Sequence, residues 1–158
     1  MVDNYYINGL LKRMPHFGGV YSSDNIPPLM QLAEHSLKYI IVNTARETEP
    51  GEHFIALLFD WSKKRPRCLW FDSFGMTPAN NDILAYLRKS NVIITWTKKA
   101  IQHPLSSYCG FFCIGAIAAH QLHGGLKSFF KLFFPSEKEH NDKIIVKYLI
   151  RTLNKCLI

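Results

Sequence analysis

The chain has 158 residues, of which 47% are hydrophobic and 20% charged, and a formal charge of +7. That length and apolar content fit one domain spanning 1–158, burying roughly 70% of the extended chain's surface. They exclude a disordered chain, and no apolar run reaches the roughly 20 residues of a membrane span. The basic balance favours polyanionic partners, nucleic acid first. Without an arginine-rich arm or a nucleic-acid motif, it is also what a solvated surface would carry. Met1-Val2-Asp3-Asn4-Tyr5-Tyr6 lacks the basic-then-apolar pattern of a secretory signal. The four cysteines (Cys68, Cys109, Cys113, Cys156) are too sparse for a disulfide framework, so a reducing compartment is expected.

In chain order, residues 4–14 read as a short helix, followed by a turn-rich stretch with Gly18-Gly19 and Pro27-Pro28. Residues 39–43 form a compact apolar strand, and 47–51 a loop. The aromatic and aliphatic run 53–61 suits a strand buried on both faces. Lys63-Lys64-Arg65-Pro66-Arg67 reads as the exposed turn of a hairpin, although it also resembles a nuclear localisation signal, and 68–72 is the return strand. Phe74-Gly75-Met76-Thr77-Pro78 breaks the chain. A helix over 82–90, with Ile83, Leu84 and Leu87 on one side, leads to a strand over 92–97. Residues 109–122 form a helix whose Gly115, Ala116, Ala118 and Ala119 allow close approach to a sheet; Gly124-Gly125 ends it. An amphipathic helix over 141–154 closes the chain. Helices early and late around central strands give an α+β class, a mixed central sheet flanked by helices.

Of the four cysteines, Cys109 alone stands at a loop-to-helix junction, where unpaired N–H groups and the helix dipole favour a thiolate. His53 starts a strand just after Glu49-Pro50-Gly51, a rim position suited to a general base. Asp72 ends the return strand, and antiparallel pairing carries it back beside His53, where a carboxylate fixes an imidazole's tautomer. Strand alternation turns Glu52 to the opposite face. Gln102 lies in the loop before Cys109, placed to donate to an oxyanion together with the Cys109 backbone N–H. Each residue taken singly also fits a packing or turn role. Their coincidence at element boundaries is what argues for a site. His120 and His123 lack further ligands at zinc spacing, so no metal site is expected.

At these residues the chain resembles the adenain-like, adenovirus-type cysteine endopeptidases, and more distantly the ubiquitin-like-protein proteases. Ile41-Val42-Asn43-Thr44-Ala45-Arg46-Glu47-Thr48 resembles the segment leading to the family's histidine. Gly51-Glu52-His53-Phe54 is similar to its Gly-x-His-Trp, and Phe71-Asp72-Ser73-Phe74-Gly75 to its Glu-Pro-Phe-Gly. Gln102 through Phe112 matches Gln-x-Pro-x-Ser-x-x-Cys-Gly-x-Phe at full spacing.

The resemblance, spanning about 17–120, implies catalytic Cys109, His53, Asp72 and Gln102 and a papain-like, adenain-like fold with the nucleophile opening a central helix. It further implies cleavage of virion precursor proteins, often after small residues such as glycine, in the virion and the host nucleus or cytoplasm. No cofactor is required for the chemistry; DNA and an activating peptide are partners implied by the family. Adenain's activator attaches through a cysteine whose counterpart here is Asn91, which argues against disulfide-linked activation. Asp72 stands for glutamate, as in the ubiquitin-like-protein proteases, Ser73 stands for proline, and the final helical region is shorter. Competing readings are an isopeptidase acting on ubiquitin-like modifiers and a non-enzymatic basic particle protein binding nucleic acid.

Overall fold

A computed structural model of the chain describes residues 2–158. A five-stranded sheet forms from β1 (Phe17–Ser22), β2 (Tyr39–Asn43), β3 (Phe54–Asp60), β4 (Arg67–Phe71) and β5 (Ile93–Trp96), adjacent in that order. The pairs β1·β2 and β4·β5 are parallel, whereas β2·β3 and β3·β4 are antiparallel, so the sheet is mixed as expected. The helices are α1 (Asn4–Leu11), α2 (Leu29–Glu34), α3 (Asn81–Lys89), α4 (Cys109–His123), α5 (Lys127–Phe130) and α6 (Asn141–Cys156). No helix among the described residues is long and apolar enough to cross a membrane.

Strand alternation divides the core in two. Ile41 of β2, Phe54, Ala56 and Leu58 of β3, and Phe71 of β4 join the cluster with α1, α4 and α6. Ile40 and Val42, then Ile55, Leu57 and Phe59, then Cys68 and Trp70 face the other way, onto Leu29 and Leu32 of α2 and Ile83 and Leu87 of α3. Every residue of β3 before Asp60 is buried. Doubly covered strands read as continuous apolar runs, which is why the pattern over 53–61 was legible.

Three elements depart from the sequence reading. Gly18-Gly19 reads as a turn, yet it lies inside β1, whose register with β2 is irregular between Phe17 and Val20. Gly18 is there for contact: a Cβ at this position would stand 3.0 Å from Ile40 Cγ2. Pro27-Pro28 mark the start of α2, with Pro28 as its N-cap residue, a position where proline costs no hydrogen bond. The short α5 carries no periodic signal of its own.

Helix α4 is buried from Phe112 to Ala119 because it lies between β3 and α6. Gly115 serves α6 and not the sheet, contrary to expectation. A Cβ there would come within 2.5 Å of Ile145 Cδ1 and 3.1 Å of Phe129 Cε2. Gly115→Val should therefore destabilise the fold by about 1–3 kcal/mol, the range of overpacked cores. At this chain length that lowers Tm by several degrees. An unchanged Tm in a calorimetric scan would refute the close α4–α6 contact.

Candidate active site

Residues from four elements meet at one edge of the molecule, where β3 begins, β4 ends and α4 begins. His53 lies one residue ahead of β3, and its carbonyl accepts the Thr44 N–H at 2.8 Å, so its backbone is tied to the end of β2. Its Nε2–H donates to Asp72 Oδ1 at 2.8 Å. The same carboxylate oxygen accepts the Phe74 N–H at 2.8 Å. The β3·β4 ladder ends at Ala56–Phe71, and the turn that follows, closed by the Gly75 N–H to the Asp72 carbonyl, brings Asp72 and Phe74 to His53. The Phe74 ring accordingly stacks on the imidazole, centroids 4.7 Å apart. Carboxylate and ring together fix the imidazole's tautomer and plane.

With Nε2 committed to Asp72, Cys109 is the second group acting on the imidazole, and His53 and the thiol each favour the other's charged form. The backbone N–H groups of Phe54 and Gly110 also favour the thiolate. No side chain caps α4, which leaves its first-turn N–H groups to the sulfur and the space above it. Burial opposes charge at both residues. It pushes the His53 pKa down, but bonding to Asp72 and Cys109 overcomes this and raises it to about 9. Burial pushes the Cys109 thiol up, but the bonds from His53 and the Phe54 N–H, with the imidazolium's charge, bring it net below its ordinary 9.0. The arrangement favours a thiolate–imidazolium pair. The other three thiols are buried, and burial moves each of them upward instead.

Gln102 is 1% exposed. Its Oε1 accepts the Ser73 hydroxyl, and its Nε2 donates to the Ser106 carbonyl at 2.9 Å, with Ser106 Oγ at 3.3 Å. The Ser73 carbonyl accepts both the Ile101 and Gln102 N–H groups, at 2.9 and 3.0 Å. The turn holding the acid therefore also holds the amide loop. That turn closes through the Gly75 N–H to the Asp72 carbonyl at 2.8 Å. Gly75 has φ +68 and leaves no room for a Cβ, which would stand 2.7 Å from the Ala100 nitrogen.

Two helix starts brace the loops. Asn80 caps α3 by accepting the Ile83 N–H and donates to the Thr44 carbonyl at 2.8 Å. Asp82 takes Arg46 through two bonds of 2.9 and 3.0 Å. Asn141 of α6, fully buried, donates to the Ile101 carbonyl at 2.8 Å. Clefts of about 400 and 490 Å³ flank the site. Ser107, Tyr108 and Phe111 line the first, Gly51 and Phe54 the second, and Val2 and Asp3 both.

All four sequence-predicted residues thus meet in one region. Sequence reasoning missed Phe74, Ser73, Ser106 and the two helix-start braces. Ser73, Phe74 and Ser106 lay within the quoted motifs, but their partners are set by tertiary contact. His120 lies elsewhere, its Nδ1 2.8 Å from the Tyr39 hydroxyl.

Residues 17–126 match the model of the adenovirus endoprotease family. The protease of Human adenovirus B serotype 3 is 33% identical over 112 residues, 63% of this chain and 51% of that protein, so the chain spans about half that relative's length. Among solved structures, the ASFV pS273R protease aligns with a TM-score of 0.62 at 11% identity, over 91% of this chain and 66% of that one. AvrA delL154 with IP6 and CoA gives 0.56 at 16% identity, over 92% and 54%. At such identities the likeness is one of fold, an α+β sheet flanked by helices.

The paired charges set a pH dependence. His53's raised pKa contributes stability that is complete below 6.5 and is lost as pH rises through about 9. Cys109's lowered pKa contributes stability present above 9.0 and lost as pH falls through its folded value. An unperturbed thiol is only a few per cent ionised at pH 7. Iodoacetamide should therefore alkylate Cys109 at pH 7 faster than a free cysteine. His53→Ala should move the alkylation midpoint upward. A midpoint indifferent to His53 would contradict the pair.

Proposed function

This chain belongs to the adenovirus endoprotease family, and from that premise we propose that it is a viral cysteine endopeptidase cutting virion precursor proteins. One observation carries the reading: His53 is bonded to Asp72 at 2.8 Å, while it and Cys109 draw each other toward imidazolium and thiolate. The Cys109 thiolate attacks the scissile carbonyl. The Gln102 amide and the Cys109 backbone N–H receive the oxyanion. The His53 imidazolium then protonates the leaving amine, and water, deprotonated by His53, releases the acyl group. Each step draws on the chain's own groups and water. An extended substrate crosses the nucleophile between the flanking clefts, with small residues such as glycine before the bond, as in the family.

DNA is the proposed polyanionic partner. Lys63, Lys64 and Arg65 in the β3–β4 turn and Arg67 at the start of β4 are exposed, at the far end of β3 from His53, so a bound polyanion leaves the clefts open. An activating peptide is proposed to bind without a disulfide, because all four thiols are buried and Asn91 stands where adenain has its cysteine. The virion and the infected cell's nucleus or cytoplasm are the proposed setting.

Cys109→Ala should abolish cleavage of particle precursors while the protein still unfolds in one cooperative transition, since it removes a single buried sulfur atom from the core edge. Gln102→Ala should lower kcat by about 10²–10³. Persistent cleavage in Cys109→Ala would refute the mechanism. Labelling of Cys109 by a ubiquitin-like protein with a C-terminal electrophile, without precursor cleavage, would move the substrate to ubiquitin-like modifiers. DNA affinity should fall with salt, with a log–log slope of about −0.9 per phosphate neutralised. Replacing Lys63 and Lys64 with alanine should flatten that slope; an unchanged slope would place the contact elsewhere.

A further inference from the structure

A side-chain amide works as an oxyanion donor only if its nitrogen end faces the substrate. Turned by 180° it presents a carbonyl oxygen, which repels the developing charge. The two orientations differ little in shape, so neighbouring donors and acceptors must choose between them.

Around Gln102 the choice falls to Ser106. Its carbonyl, 2.9 Å from Gln102 Nε2, can only accept. Its hydroxyl, 3.3 Å from the same nitrogen, could do either. A serine hydroxyl has one proton, however, and Ser106 Oγ gives it to Asp142 Oδ1 at 2.8 Å. With that proton spent, Ser106 Oγ offers lone pairs alone, one of which takes the Tyr108 N–H at 3.2 Å. Both Ser106 groups beside Gln102 are then acceptors, and a turned amide would set its oxygen against them. On the other side the Ser73 hydroxyl donates to Oε1. A proline at that position, as in the family's Glu-Pro-Phe-Gly element, could not make this bond.

Asp142 sits in the first turn of α6, where the helix dipole favours a carboxylate. Its neighbour Asn141 holds the same region, bonding the Ile101 carbonyl and, through Oδ1 and Nδ2, the backbone of Phe134 at 2.9 Å. Asp142 touches neither the nucleophile nor the base, and it lies outside the residues matching the family model.

We propose that Asp142 is a positioning residue for the oxyanion hole: by taking the Ser106 hydroxyl proton, it locks the Gln102 amide with its free N–H toward the substrate. This rests on the reading of Gln102 as oxyanion donor. One Nε2 proton is shared between the Ser106 carbonyl at 2.9 Å and, more weakly, its hydroxyl oxygen at 3.3 Å, and the second serves the reaction. Asp142→Asn tests the lock, because an asparagine amide can donate to Ser106 Oγ and release that proton toward Gln102.

The assay is turnover of a fluorogenic peptide amide ending in Gly-Gly, alongside iodoacetamide alkylation of Cys109, a reaction without an oxyanion. Asp142→Asn should lower kcat about 10–100-fold, short of the roughly 10²–10³ of a removed donor. KM should stay within about twofold, as for a contact made only in the transition state, and alkylation should be unchanged. In a Gln102→Ala background the same substitution should have no further effect on kcat, the signature of a residue acting through another. Ser106→Ala, which keeps the carbonyl and removes the ambiguous hydroxyl, should exceed Asp142→Asn in kcat and should be indifferent to Asp142→Asn added to it. That pair decides the matter even if Asp142→Asn alone folds poorly. Equal losses from Asp142→Asn with and without Gln102 would overturn the lock and leave proteolysis standing. A Gln102→Ala variant with undiminished kcat, or an unaltered protein without turnover, would overturn the functional reading itself.

Discussion

A buried imidazole can hold a charge only where anions repay the lost hydration. His53 has two, the Asp72 carboxylate 2.8 Å from Nε2 and the Cys109 thiolate that its charge favours. Desolvation is the largest single influence on both His53 and Cys109, and it works against ionisation in each. The pair is therefore a product of geometry: moving either ring contact out of hydrogen-bond range would return both groups toward their neutral forms. Everything else at this edge of the molecule keeps three side chains from separate elements in register.

The fold does this with short braces. Parallel crossovers through α2 and α3 cover one sheet face and leave the other to α4, so the N-terminus of α4 points its donors at the ends of β3 and β4. The Asp72–Gly75 turn couples acid to amide, since Ser73 bonds Gln102 through both its carbonyl and its hydroxyl. Two helix starts of similar chemistry hold the loops of the site. Asn80 and Asp82 grip the loop before His53, and Asn141 and Asp142 grip the loop before Cys109. In each case asparagine bonds backbone and aspartate bonds a side chain, a division suited to their respective donor and acceptor capacities.

Much of this was legible because it depends on local signals. The continuous apolar run of β3 and the alanine-rich α4 announce doubly buried elements. Cys109 and Gln102 stand at fixed spacing across one loop, and Asp72 follows a return strand that alternation and hairpin logic carry to His53. Illegible parts depend on distant contacts. Gly18-Gly19 enters a strand because Ile40 needs the space. Gly115 is small for α6 and not for the sheet. The link from Ser106 to Asp142 joins positions 36 apart, with no pattern between them to suggest it. Phe74 stacks on His53 from the turn beyond β4, a contact outside the hairpin argument that carried Asp72 beside His53.

The central claim is that His53 is an imidazolium sustained by two anions. Nitrogen-15 NMR of labelled histidine measures it directly, by following the His53 ring through a pH titration in the unaltered protein and in Cys109→Ser. The account expects both ring nitrogens protonated at neutral pH and a midpoint near 9, falling substantially when the thiolate is lost. A midpoint near the ordinary 6.5, or one unmoved by the serine, would contradict it.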